Sequence, residues 1–298
     1  MIKAVVLQRR HGRIALKHAA LAGTPAGVLT EGALTDGITV ARALKSLFSD
    51  YGISERRVAT AVGGEKVWCQ SDRTTSSSSD LEAFVQGRAD SVSGLSAESI
   101  LCDFQPVESA IEGSVFWACC SAEQVDWVRE AVFLAGKAPA VVDPQACALA
   151  NAYSFSYQPK SSDTALLVNV GARDLTIALM RGWAISYARE HVIAKDWLSP
   201  GSDELLARVL RGLDSHWDAL HERADPQPLE KLYVSGGAAR ASGLLEALQE
   251  RTGLHADELD PFHRISYSPG SAAGRIVGEH GPALAIAVGL ALRSFEDL

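Results

Sequence analysis

The chain has 298 residues and a mass of 31.7 kDa, 47% of it hydrophobic and 21% charged, enough to bury a full core in two domains or one large one. Disorder and fibrous repeats are excluded. A net charge of −8 with no long Lys/Arg block leaves no electrostatic footprint for duplex DNA or an anionic membrane surface.

The opening stretch Met1 to Leu7 runs straight into Arg9-Arg10-His11-Gly12-Arg13, too short for a signal peptide or anchor. Lys3 to Leu7 and Arg13 to Ala20 read as a hairpin turning at Gly12, its charged turn expected to be solvated. After Asp36-Gly37 a helix carries Val40, Ala41, Leu44, Leu47, Phe48 and Tyr51 at the 3.6 period, closed by Gly52 with Ile53 behind it. A strand over Arg57 to Val62 ends in Gly63-Gly64.

Lys66 to Gly136 reads as a separate small α+β unit. Ser79 and Glu82 pattern as a capping box for a helix with Leu81, Phe84, Val85 and Val92, and Ser121 and Gln124 repeat it before Val125, Val128, Val132 and Ala135. Strands are expected at Ser99 to Val107 and Ser114 to Ser121. After a strand at Ala138 to Asp143 and a helix from Gln145 to about Phe155, the stretch Tyr157 to Asp163 is the clearest linker.

Beyond the linker the opening pattern recurs. Strands at Thr164 to Val170, Leu175 to Met180 and Trp183 to Glu190 precede one long helix from Leu205 to Leu220, then a strand at Lys231 to Ser235 ending in Gly236-Gly237. Hairpin, helix, strand and Gly-Gly thus occur twice, which predicts two like-folded lobes with a ligand cleft between them. The most apolar segment, Pro282 to Phe295, is about 14 residues, short of the ~20 that span a bilayer, and reads as a core helix.

The five cysteines (Cys69, Cys102, Cys119, Cys120, Cys147) never form C-x-x-C and read as reduced thiols of a cytosolic protein. Cys119 and Cys120 point to opposite faces of a strand. His216 and His221 are too far apart in the helical repeat to share a metal and read as surface residues. No nucleophile elbow occurs, so no catalytic residue and no metal site is assigned.

Four phrases in order, Arg57 to Gly63, Val141-Val142-Asp143-Pro144-Gln145-Ala146-Cys147-Ala148-Leu149-Ala150, Leu232-Tyr233-Val234-Ser235-Gly236-Gly237-Ala238-Ala239-Arg240, and Gly281 to Phe295, resemble the type IV pilus assembly protein PilM family, in the FtsA-like branch of the actin-like ATPase superfamily. The resemblance covers nearly the whole chain. It implies an α/β, actin-like (ribonuclease H-like) two-lobed fold with an inserted small subdomain. The implied division is a first lobe over 1–65, 137–157 and 281–298, the insertion over 66–136 and a second lobe over 163–280.

The resemblance also implies a nucleotide site, and here the sequence departs from the family. The first Asp-x-Gly phosphate turn would stand just ahead of Ile2-Lys3-Ala4-Val5, and the chain starts after it. In the second turn, Val168 to Asp174, the family aspartate is Asn169, which keeps an oxygen but loses the charge that holds hydrated Mg²⁺. Gly171 alone reads as a turn needing positive φ, and Asp174 is a weak substitute carboxylate. The adenosine loop survives as Ser235-Gly236-Gly237, and the helical wall between Glu190 and Leu205 is reduced to a short segment, Ile193 to Gly201. The site residues implied are therefore Asn169, Gly171, Gly236 and Gly237, with ATP and Mg²⁺ open and hydrolysis not expected.

The function implied is a cytoplasmic scaffold of pilus assembly, peripheral to the inner membrane through the cytoplasmic tail of a PilN-like protein and linked to the pilus assembly ATPases. The tail would lie between the small unit and the first lobe, near Trp68, Phe84, Leu95 and Phe104. The alternatives are an ATP-binding enzyme resembling sugar or acetate kinases, which needs intact phosphate turns, and an FtsA-like filament protein, which is expected to end in a basic amphipathic helix.

Overall fold

A computed structural model describes residues 1–30, 33–74, 80–94, 99–107, 113–193, 199, 201–224 and 228–295. The expected cap Ser79, Leu95 and most of Ile193 to Gly201 lie outside the described residues.

Strands β1 (Ile2–Arg10) and β2 (Arg13–Ala22) form an antiparallel hairpin, turning through His11 and Gly12, both at positive φ. A short ribbon, β3 (Leu29–Thr30) and β4 (Ala33–Leu34), leads to α1 (Gly37–Asp50). Asp36 caps α1 by accepting from the Thr39 amide at 2.9 Å. Gly52 closes it, with Ile53 N donating to Phe48 O at 2.8 Å. Strand β5 (Arg57–Val62) comes next.

The inserted unit supplies β6 (Val67–Arg73), α2 (Leu81–Ser93), β7 (Ile100–Pro106) and β8 (Ser114–Ser121). The N-cap of α2 is Asp80, and Ser121 stands at the N-cap of α3 (Ala122–Leu134); neither side chain makes a capping hydrogen bond. Helix α2 covers one sheet face, where Val85, Ala89, Trp117 and Cys119 are buried with Trp68, Phe84 and Phe104 against them. Those three aromatics, read as groove walls, are therefore part of this unit's own core. Cys120 faces the other way, against Ala146 and Leu149.

Helix α3 packs against α1 rather than against α2, and it leads from β8 into β9 (Ala138–Pro144), the parallel partner of β5. Helix α4 (Gln145–Tyr157) then leads into the second lobe.

Strands β10 (Thr164–Val170), β11 (Asp174–Arg181) and β12 (Ala184–Val192) form the expected meander. The expected single helix is two, α5 (Asp203–Asp214) and α6 (Trp217–Ala224). At the break Ser215 Oγ donates to Gly212 O at 2.7 Å and His216 N to Leu213 O at 3.0 Å, so side chain and tightened backbone replace the helical ladder. His216 is half-buried, its Nδ1 3.1 Å from Tyr187 Oη, and burial first, then His191, lowers its pKa to about 4; it is not a surface residue. The chain continues through β13 (Lys231–Ser235), α7 (Leu244–Thr252), β14 (His255–Glu258), α8 (Ala272–His280), a 3₁₀ turn at Gly281–Leu284 and α9 (Ala285–Leu292).

One eight-stranded sheet runs β14-β13-β10-β11-β12-β6-β8-β7. The inserted unit is thus continuous with the second lobe through Tyr187↔Gln70, Ala188↔Cys69 and Arg189↔Trp68. All seven residues of β10 are buried, as a strand covered on both faces requires. The segment Ala272–Leu292 forms a run of 21 residues with mean hydropathy 1.2, long and apolar enough to cross a membrane by length and composition, yet half of it is buried in the protein. Helix α9 packs against α4, β1 and β5, so it does serve as a core helix.

Candidate functional site

The residues singled out from the sequence converge. β10 and β13 are parallel neighbours in register Asn169↔Ser235, so Asn169, Gly171, Gly236 and Gly237 all sit at the carboxyl ends of two adjacent strands, the usual ligand position in such sheets. Asn169 is buried and its Oδ1 accepts from Ser235 Oγ at 3.1 Å.

The two glycine turns are built by close approach. Gly171 is not in the left-handed region, contrary to the expectation of positive φ. A Cβ at Gly171 would stand 1.7 Å from Asp174 Oδ1 and 3.2 Å from Asp174 O, so a larger residue there displaces the Asp174 side chain, and the Gly171 amide donates to Asp174 O at 2.8 Å. Gly236 has φ +99°, and a Cβ there would stand 2.2 Å from Val170 O. Its amide donates to Pro282 O at 3.0 Å, and Ala238 N donates to Val170 O at 3.1 Å. Only at Gly237 does the Cβ direction open onto free space. Arg240 is held by both Glu258 carboxylate oxygens at 2.8 Å and by the carbonyls of Gly278 and Glu279 at 3.0 Å.

Glu190 of β12 reaches the Gly63-Gly64 turn after β5. Its Oε2 accepts from the Gly64 amide, and its Oε1 has no hydrogen-bond partner among the described residues. Burial pushes its pKa well above the ordinary carboxyl value, outweighing the Gly64 hydrogen bond. Gln145 presses on the same turn, within 1.8 Å of where a Gly63 Cβ would stand. Burial lowers the Lys3 pKa, partly offset by the Asp174 carboxylate. Asp143 is raised by burial and stands 3.1 Å from Arg293 Nε.

Two of the turn amides are not available to a magnesium triphosphate. A phosphate needs free amides and positive charge, but the Gly171 and Gly236 amides are committed to carbonyls, and the Asp174 carboxylate already stands over the Gly171 turn. Among the described residues no group of three or more His, Cys, Asp or Glu could hold a metal.

Glu190 and Lys3 are not legible as site residues from the sequence. A glutamate closing an apolar strand gives a weak signal of burial, but its partner lies 126 positions away.

A family model described as "Type IV pilus assembly protein PilM" matches residues 1–201 and 193–295. Among solved structures the fold is similar to a "PilM-PilN type IV pilus biogenesis complex", at 24% identity over 98% of this chain and 95% of that one, with a TM-score of 0.77. Weaker likenesses are the ethanolamine utilization protein EutJ from Carboxydothermus hydrogenoformans (14% identity, 98% and 90% covered, TM-score 0.49) and the cytoplasmic domain of EpsL, an inner membrane component of the type II secretion system of Vibrio cholerae (8%, 93% and 94%, 0.46). The fold is the expected actin-like α/β fold.

Proposed function

Since the chain belongs to the type IV pilus assembly protein PilM family, we propose that it is a scaffold of pilus assembly that binds the cytoplasmic tail of a PilN-like inner-membrane protein. The observation that carries this is the structural match to a PilM-PilN complex along 98% of the chain, inserted unit included. On this reading the protein is cytoplasmic, held at the inner membrane by that tail, and passes its position on to the pilus assembly ATPases.

We place the tail in the crease between the inserted unit, residues 66–136, and the first lobe. Trp68, Phe84 and Phe104 are spent on packing, so the anchors come from apolar side chains that remain exposed, Leu101 on β7 at 48% and Phe133 on α3 at 69%. An extended tail gains affinity by main-chain hydrogen bonds and a few such anchors.

The nucleotide site, Asn169, Gly171, Gly236 and Gly237, is on this reading degenerate. Transfer of a phosphoryl group depends on positioning and charge stabilisation, and Asn169 lacks the negative charge that would hold hydrated Mg²⁺. The protein works without hydrolysis.

Titrating a synthetic tail peptide into the full chain tests the proposal. Saturable binding at micromolar Kd or tighter is expected, weakened about tenfold by Leu101→Asp or Phe133→Asp. No saturation with folded protein would remove the central interaction.

A further inference from the structure

A cavity of about 1030 Å³ opens where the β1–β2 hairpin, the end of α1 and the segment leading into α8 meet. None of Asn169, Gly171, Gly236 and Gly237 lines it, and no residue of the inserted unit does. Most of its lining is exposed, and only Ala15 and Ala19 are buried, so it is a trough in the surface. Small-molecule sites enclose most of their ligand; an open trough of this size matches a length of chain.

Its charge runs against that of the protein. The whole chain carries −8, yet the trough is lined by Arg10, His11, Arg13, Lys17 and His18, and Asp50 is the only carboxylate among the described residues that line it. Lys17 is already held by Glu55. Arg10 and Arg13 are not held: among the described residues neither has a hydrogen-bond or ion-pair partner. The turn sets them side by side. His11 and Gly12, both at positive φ, form a two-residue connection that fixes Arg10 and Arg13 as directly opposed residues of the ladder. Like charges in that position destabilise a hairpin, so folding gives no reason for two unpaired guanidiniums there. A ligand bringing carboxylates does, because a guanidinium takes a carboxylate through two parallel hydrogen bonds.

We propose that this trough docks an acidic, extended segment of another protein. Carboxylates of the segment pair with Arg10 and Arg13 at the rim, and its apolar side chains lie on Leu16, Tyr267 and Ala272. Tyr267 is 39% exposed and stands edge-on to the buried Phe262, ring centroids 6.0 Å apart, which makes it a fixed aromatic wall. Asp50 repels carboxylates from the α1 end and so sets which way the segment lies. Cations that share a concavity with apolar walls and a carboxylate favour a polypeptide over the headgroups of a membrane. The site is separate from the crease assigned to the PilN-like tail, and it stands or falls without the pilus reading.

The test selects phage-displayed random peptides of about twelve residues, long enough to cross the trough when extended, on the full chain and on two charge reversals, Arg13→Glu and Arg211→Glu. Arg211 is on α5, outside the trough. Arg13→Glu should be at least as stable as wild type in thermal unfolding, since it turns a like-charge pair into an opposite-charge pair. Peptides enriched on wild type and on Arg211→Glu should carry several Asp or Glu residues beside apolar ones. By fluorescence anisotropy they should bind with saturation, lose about tenfold in affinity on Arg13→Glu, and weaken as salt rises. The PilN-like tail should bind Arg13→Glu as it binds wild type, which keeps failure of the trough apart from failure of the crease. No enrichment, enrichment of peptides without Asp or Glu, or equal affinity for wild type and Arg13→Glu overturns the proposal. Weaker binding of the tail to Arg13→Glu overturns a separate site. Phosphatidylglycerol vesicles that sediment wild type but not Arg13→Glu, with no acidic peptide enriched, overturn it in favour of a membrane contact.

Discussion

Glu190→Gln probes whether the two lobes are joined by a neutral carboxyl. Desolvation raises the folded-state pKa of Glu190 well above its ordinary 4.5, so from about that pH upward the folded chain holds a proton that the unfolded chain has released. Stability from this group is therefore full below pH 4.5 and is lost as pH rises toward the folded pKa. Each tenfold difference in proton affinity between the two states is about 1.4 kcal/mol. The amide is neutral at every pH and still offers an oxygen to the Gly64 N–H, so the variant should match the wild type near pH 4.5 and exceed it by about 1 kcal/mol or more at pH 8. Glu190→Ala, which leaves that buried donor unpartnered, should cost about 1–3 kcal/mol at all pH values. Urea unfolding at pH 5 and pH 8 reads both. A Glu190→Gln variant less stable than wild type at pH 8 would mean that the carboxylate is ionised and paired, and that no neutral carboxyl joins the lobes.

Gly236→Ala should lose more than about 2 kcal/mol, since it combines positive φ with a collision on Val170 O, while Gly237→Ala should stay within about 0.5 kcal/mol, read by thermal unfolding. Phosphate release from ATP should stay at background in wild type and in Asn169→Asp; release above background that Gly171→Ala abolishes would contradict the degenerate site. The His216 imidazole should titrate near pH 4 by NMR, remaining neutral at pH 5.5; its contribution to stability is then lost as pH falls from 6.5 toward 4. Deleting residues 66–136 should give an insoluble chain, because it uncovers the β12 edge and removes α3 from the face of α1.

The order of elements was legible because periodicity is local. Thr164 to Val170 and Lys231 to Ser235 are strands at the expected residues, and the duplication of the two lobes could be read from hairpin, helix and Gly-Gly alone. What was not legible depends on partners distant in sequence. Nothing near Trp68 says that β6 continues the second lobe's sheet, since its partner Arg189 arrives from another lobe. The break between α5 and α6 escaped because the apolar spacing from Leu205 to Leu220 continues across it, while Ser215 and His216 respond to local hydrogen bonds and to Tyr187. At the candidate site, the four residues do stand together, but the close approach of Asp174 to Gly171 was not legible, because that carboxylate belongs to the next strand.

If the chain reaches the membrane through one partner and needs no nucleotide to do so, vesicles carry the decisive measurement. Vesicles of neutral lipid bearing a full-length PilN-like protein should sediment the chain, equally with and without ATP, and vesicles bearing that protein without its cytoplasmic tail should not. Sedimentation with bare vesicles, or only in the presence of ATP, would contradict a scaffold held by a single tail.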